Sequence, residues 1–182
     1  MAKRPITAHS IVQRIKDEEI RFLDLKFVDL FGMLQHLTVP AEIVSEDIFR
    51  QGVGFDGSSV RGFQSIQGSD MTLLPDAASV FHDPFFEEPT LSVFCNIVDP
   101  ERLRPYTRDP RGIARKAESL VRSIGLADEA FFGPEIEFSI FDDVRFDQAT
   151  QHGYYFLNSE AAFWSAGDQG GKPNLGHQAS RK

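Results

Sequence analysis

The run Gly133-Pro134-Glu135-Ile136-Glu137-Phe138 sets two carboxylates two residues apart inside an apolar alternation. In a strand, positions i and i+2 share a face and stand roughly 6.5–7 Å apart along the chain. Carboxylates so placed repel each other, and a divalent cation relieves that repulsion. Oxygen donors suit magnesium or manganese. The same spacing also describes an edge strand with a solvated acidic face, because any half-buried strand alternates. A second acid stands in Phe55-Asp56-Gly57-Ser58-Ser59. A fixed carboxylate beside small residues can hold a cationic substrate and accept its proton. Asp-Gly-Ser-Ser can equally form an Asx turn without chemistry.

Other chemistries find less support. His36, His82 and His152 are scattered without ligand spacing. No Gly-x-x-x-x-Gly-Lys-Ser/Thr phosphate cradle is present, and no Gly-x-Ser-x-Gly nucleophile elbow. A carboxylate-pair hydrolase would need its acids facing each other across a substrate at about 5–9.5 Å, which neighbours on one strand face do not do. Phe163 and Trp164 read as packing residues. The net charge of -8, from 27 acidic and 19 basic residues, argues against a nucleic-acid partner. Cys95 is the single cysteine and lies in an apolar run, so a buried, inert thiol is expected. No apolar stretch of about 18 residues suggests a membrane span. Met1 to Pro5 is basic, but no apolar signal-peptide core of about 7–15 residues follows. A cytoplasmic protein is expected.

The elements that must carry these acids are legible in part. Ile11, Val12 and Ile15 share one side of a helix from Thr7 to Glu19, with Thr7 as cap. Leu23, Leu25 and Phe27 alternate with Asp24 and Lys26, which predicts a half-buried strand. Asp29 to Gly32 reads as a turn, and Met33 to Val39 as the returning strand, stopped by Pro40. A short helix is expected from Ser45 to Gln51, ended by Gly52. From Gly52 to Gly68 no period survives, so this stretch reads as a loop. Strands resume at Met71 to Leu74 and at Thr90 to Val98. Asp109-Pro110 starts a helix with the stripe Ile113, Ala117, Leu120, Val121 and Ile124, closed by Gly125. Ala130 to Phe141 reads as a strand, and Ser159 to Lys182 as a loop. The fold class is α+β, with a boundary near Arg108. The part after it holds one helix, one strand and a loop, too little to close a core of its own.

These pieces together resemble one family. Phe55 to Phe63, with Ser69-Asp70-Met71 and Leu74-Pro75-Asp76, resembles the ammonia-site loop of type I (bacterial) glutamine synthetases. Asp109-Pro110-Arg111 with Ile113-Ala114 resembles the start of their catalytic domain, and Phe132 to Phe138 their first metal-binding strand. Asn174-Leu175-Gly176-His177 with Lys182 resembles the loop leading into the next strands. Ile136 and Gly68 depart from the residues more usual at their positions. The resemblance implies a β-grasp-like N-terminal domain over residues 1–108. Residues 109–182 would be the truncated beginning of the α/β catalytic domain. It implies an ATP-dependent glutamate–ammonia ligase of nitrogen assimilation, working through γ-glutamyl phosphate with Mg2+ or Mn2+. It implies a homo-oligomer, a double hexameric ring in which the N-terminal domain packs on the neighbour's catalytic domain. Glu135 and Glu137 match the first metal carboxylates. Asp56 and Ser59 match the ammonium site, acting in the neighbouring subunit, and Phe63 matches a further residue of that loop. The rest of the family's metal and phosphate ligands lie beyond the matched stretch, so this chain alone is expected to be inactive. Two alternatives stay open: a non-catalytic module docking on the full-length enzyme, and a relative that ligates glutamate to another amine.

Overall fold

The computed structural model describes residues 6–100, 103–159 and 162. Its contacts divide into two compact units, Met1–Ala130 and Phe131–Lys182. The expectations for Phe163, Trp164 and the run Asn174 to His177 with Lys182 fall outside the described residues.

The first unit begins with helix α1, Ala8–Asp17. Thr7 caps it as expected, and the cap is reciprocal: the Thr7 hydroxyl accepts from the Ser10 amide, and the Ser10 hydroxyl accepts from the Thr7 amide. Ile11 and Ile15, one turn apart, are the buried face. Strands β1 (Phe22–Val28) and β2 (Leu34–Pro40) form an antiparallel hairpin. In its turn the Asp29 carboxylate accepts from the amides of Phe31 and Met33, and Gly32 supplies φ +82°. Helix α2 (Ile48–Gln51) is a single turn. Gly52 follows it at φ +79°, where a Cβ would lie 2.3 Å from Thr72 Cγ2 and 2.6 Å from the Leu73 carbonyl oxygen. Only glycine suits both the backbone conformation and the space.

Strand β3, Val53–Asp56, corrects the reading of residues 52–68 as loop throughout. It pairs antiparallel with β4, Asp70–Pro75. Four residues flanked by glycines show too little alternation to announce a strand; its ladder to β4 makes it one. After β5 (Phe81–His82) comes β6, Thr90–Val98. The sheet order is β2-β1-β6-β4-β3, with β5 also on β6, and the β1–β6 pair is parallel. This curled mixed sheet, with the apolar face of α1 in its core, is a β-grasp arrangement.

The two faces of β6 do different work. Leu91, Val93, Cys95 and Ile97 are wholly buried in the apolar core with Leu23, Leu25 and Leu73. Burial pushes the Cys95 thiol far up, so it is inert as expected. The alternate residues carry polar partners: Ser92 donates to Asp83 (2.7 Å), and Asn96 accepts from Arg111 and Arg115.

Here the half-buried reading of β1 is corrected. Asp24 is 0% exposed and Lys26 is largely covered. Asp24 accepts from Thr38 and faces His36 Nδ1 at 2.8 Å. The Lys26 ammonium lies 2.7 Å from Asp83 Oδ2 and 3.4 Å from Asp24 Oδ2. A charge inside a sheet persists only when paired in this way; Lys26 shares the strand of Asp24, while Thr38, His36 and Asp83 come from elsewhere in the chain.

Helix α3, Pro110–Ser123, starts as expected, with Asp109 as cap and Pro110 at the first helical position. Its stripe, however, is not buried: α3 has no buried residue, Val121 is only partly covered, and Ile113, Leu120 and Ile124 are exposed. Polar anchors hold it. Arg111 pairs with Asp76, and buried Asp109 accepts from the Ile97 amide at 3.2 Å.

In the second unit, Phe131 to Phe141 is not the strand expected over Ala130 to Phe141. It carries no ladder pairing, and Ile136, Phe138 and Ile140 are exposed. A strand needs a partner for its backbone groups, and none of the described residues provides one. An antiparallel hairpin not foreseen from sequence follows, β7 (Asp143–Ala149) with β8 (His152–Asn158).

Burial pushes the Asp83 carboxyl up, but bonds from Lys26, Ser92 and the Phe85 amide, with the Lys26 charge, outweigh it and hold it at about 2. A depressed carboxyl contributes stability above its unfolded value of about 3.9, and loses it as pH falls through its folded one. Thermal melts followed by circular dichroism should therefore show a loss between about pH 4 and pH 2. Asp83→Asn should flatten that limb, and a variant with an unchanged acid limb would contradict the assignment.

Candidate functional site

Asp56 closes β3 and opens a turn over Gly57–Ser59. Its side chain is exposed, yet its oxygens are already engaged. Oδ1 accepts from the Ser58 amide (2.8 Å) and the Ser58 hydroxyl (2.7 Å), and Oδ2 accepts from the Ser59 hydroxyl at 3.1 Å. The Ser58 hydroxyl and amide, against slight burial and with help from Ser59 and Ser69, hold the carboxyl below its ordinary value. The Asx turn is thus present, and it leaves an ionised carboxylate at the surface. Ionised and exposed, Asp56 has the charge to meet a cation. Lone pairs turned away from the serines remain to receive one.

The ends of this loop are fixed. Gly57 donates to the Ser69 carbonyl at 2.7 Å, and a Cβ there would meet Met71 Sδ at 2.5 Å. Phe63 is 1% exposed, with ring contacts to Phe27 (6.3 Å) and Tyr106 (5.5 Å). Its ring therefore anchors the loop in the core and cannot itself touch a ligand in solvent. Sequence reasoning did not single out Tyr106 and Arg108, whose side chains donate to carbonyls of Gly62 and Phe63. Their one sequence signal was position, immediately ahead of the Asp109-Pro110 helix start.

Glu135 and Glu137 are exposed in the unpaired stretch of the second unit. Their oxygens are the right donors for magnesium or manganese. Among the described residues no group of three or more His, Cys, Asp or Glu is gathered as a cation site needs. Two carboxylates by themselves are fewer ligands than either ion takes.

A curled β-grasp sheet bearing an anchored acid loop, followed by a capped helix, defines a class of N-terminal domain. The β-grasp domain model of glutamine synthetase matches residues 19–100, and the catalytic domain model of the same enzyme matches residues 107–180. The chain belongs to the glutamine synthetase family. It is 47% identical over 168 residues to glutamine synthetase of Cereibacter sphaeroides, covering 92% of this chain and 36% of that protein. The enzyme of Methylococcus capsulatus is 45% identical over 177 residues, covering 97% and 38%. The chain thus spans little more than a third of the length of these relatives. Among solved structures, Plasmodium falciparum glutamine synthetase shares the fold with a TM-score of 0.69 at 19% identity, over 90% of this chain and 32% of that one. The ADP complex of GmaS matches with a TM-score of 0.56 at 22% identity, over 62% of this chain and 25% of that one.

Glu135→Ala and Glu137→Ala should leave the stability of the chain within about 0.5 kcal/mol, because both side chains are exposed and make no packing contact to lose. Urea denaturation measures this. A larger loss would mark the glutamates as structural.

Proposed function

We propose that this chain forms the N-terminal part of a cytoplasmic glutamate–ammonia ligase that uses ATP and makes glutamine through γ-glutamyl phosphate. Residues 1–108 are its β-grasp domain and residues 109–182 the beginning of its catalytic domain. In the assembled homo-oligomer the Asp56 loop completes the site of the neighbouring subunit. The observation that carries the reading is Asp56, an exposed carboxylate held ionised at the tip of a loop whose two ends are fixed to the core. Ammonium is a small cation, and such a carboxylate attracts it. A carboxyl of lowered pKa is a reluctant proton acceptor in water. Enclosure at a subunit boundary also lowers the pKa of ammonium by desolvation, which eases the transfer. Ser59 keeps Asp56 oriented, and Phe63 keeps the loop seated. Glu135 and Glu137 contribute two oxygen ligands to the divalent ions, Mg2+ or Mn2+. Such ions, when bound, neutralise charge on the phosphoryl group in transfer.

The test is a split between partial reactions. In a complete glutamine synthetase carrying this segment, Asp56→Asn should lower ammonium-dependent kcat/KM about a hundredfold or more. Glutamate-dependent acyl-phosphate formation should stay near wild type. Equal loss of both would assign Asp56 a structural role. Glu135→Ala should displace the manganese activation curve to higher concentration, and an unchanged curve would remove the metal assignment. The 182-residue chain assayed alone should form no glutamine. Phosphoryl transfer depends on a full set of charged ligands acting as a unit, and two carboxylates are a small part of one.

A further inference from the structure

We infer that Tyr106 and Arg108 are positioning residues for the Asp56 loop, a role that rests on the ammonium-site reading. The loop is an arch. Its first foot is Gly57, hydrogen-bonded to Ser69 and pressed against Met71. Its second foot is the Gly62-Phe63 pair, reached through Gly62 at φ +81°. The Phe63 carbonyl accepts from the Tyr106 hydroxyl at 2.5 Å and from Arg108 Nη1 at 3.0 Å. The same Arg108 nitrogen donates to the Gly62 carbonyl at 3.0 Å. Three hydrogen bonds therefore fix two successive peptide planes.

The buried Phe63 ring does not do this by itself. A ring in a core fixes where the side chain lies, while the peptide planes on either side of Phe63 keep their own rotations. Those planes set the direction in which the arch leaves the core, and so where Ser59 meets Asp56 Oδ2. The clamp is itself held at both ends. The Tyr106 amide donates to the Ile97 carbonyl, and the Asp109 amide donates to the Tyr106 carbonyl. Asp109 in turn caps α3 and accepts from the Ile97 amide. The four residues 106–109 thus run from the site loop to the central strand and the first turn of α3.

Tyr106→Phe removes the donor and keeps the ring contact on Phe63, and Arg108→Ala removes the other two bonds. In the 182-residue chain, hydrogen exchange of the Val60 and Phe63 amides, which close the arch onto Gly57 and Val60, should speed up about tenfold in the double variant. The melting temperature should move little, and Arg108→Lys should restore part of the protection. In a complete enzyme built by joining this chain to the remainder of the Cereibacter sphaeroides subunit, the double variant should raise KM for ammonium about fivefold. KM for glutamate should stay within about twofold. A purely structural role would move both constants and the melting temperature together, which overturns the inference. Wild-type exchange in the double variant overturns it as well, as does an unaltered ammonium KM beside an impaired Asp56→Asn enzyme. If Asp56→Asn itself spares ammonium use, the ammonium reading fails, while the exchange experiment still decides the clamp.

Discussion

The first unit depends on one constraint: β6 is hydrogen-bonded along both edges and covered on both faces. A strand in that position exposes little to solvent, so its buried polar groups must find partners within the protein. One face of β6 needs none, since Leu91, Val93, Cys95 and Ile97 are apolar or nearly so. The other face carries Ser92 and Asn96, and these recruit the rest. Ser92 meets Asp83, which meets Lys26, which meets Asp24. Asn96 meets Arg111 and Arg115, which seat α3. The Lys26 ammonium also lies 5.6 Å from the centre of the Phe86 ring, a cation–π contact.

The candidate site inherits its rigidity from this arrangement. Strand β4 pairs with β6 on one side and β3 on the other, and β3 delivers Asp56 at its end. The carboxylate is thus two strands removed from the most buried part of the molecule. Phe63 ties the far side of the loop back to β1 through Phe27. An exposed acid on a loop is usually mobile; here short hydrogen bonds to serines and fixed ends limit it. The cost is that Ser58 and Ser59 occupy part of its acceptor capacity, leaving fewer lone pairs for a ligand.

What could be read from sequence was local. Thr7, the Asp29-to-Gly32 turn and Asp109-Pro110 each announce themselves through the chemistry of one turn, and all three stand where expected. The burial of Asp24 was not legible, because its neutralising partner Lys26 shares its strand and the charge that completes the group, Asp83, lies 57 residues from Lys26. Strand β3 was missed because its identity comes from β4. The β7–β8 hairpin was nearer to hand: Val144 and Phe146 alternate with Asp143, Arg145 and Asp147, and Thr150-Gln151 leads from this run into the aromatic run Tyr154-Tyr155-Phe156. Asp56, Glu135 and Glu137 stand out as candidate acids from their spacing and neighbours, Ser59 comes from family resemblance, and the local geometry of Asp56 adds a reason that the tetrapeptide alone did not hold. Tyr106 and Arg108 carry no such motif; their role appears only when distant carbonyls are found beside them.

Ile113, Leu120 and Ile124 of the α3 stripe and the rings of Phe131, Phe132 and Phe138 are exposed within this chain. The most direct measurement on the central claim is an NMR titration of the Asp56 side-chain carboxyl in the 182-residue chain. The account predicts ionisation below the ordinary aspartate range, returning toward it in Ser58→Ala as the strongest donor is removed. An Asp56 that titrates at or above the ordinary value, unaffected by Ser58→Ala, would show that the loop does not hold a ready anion.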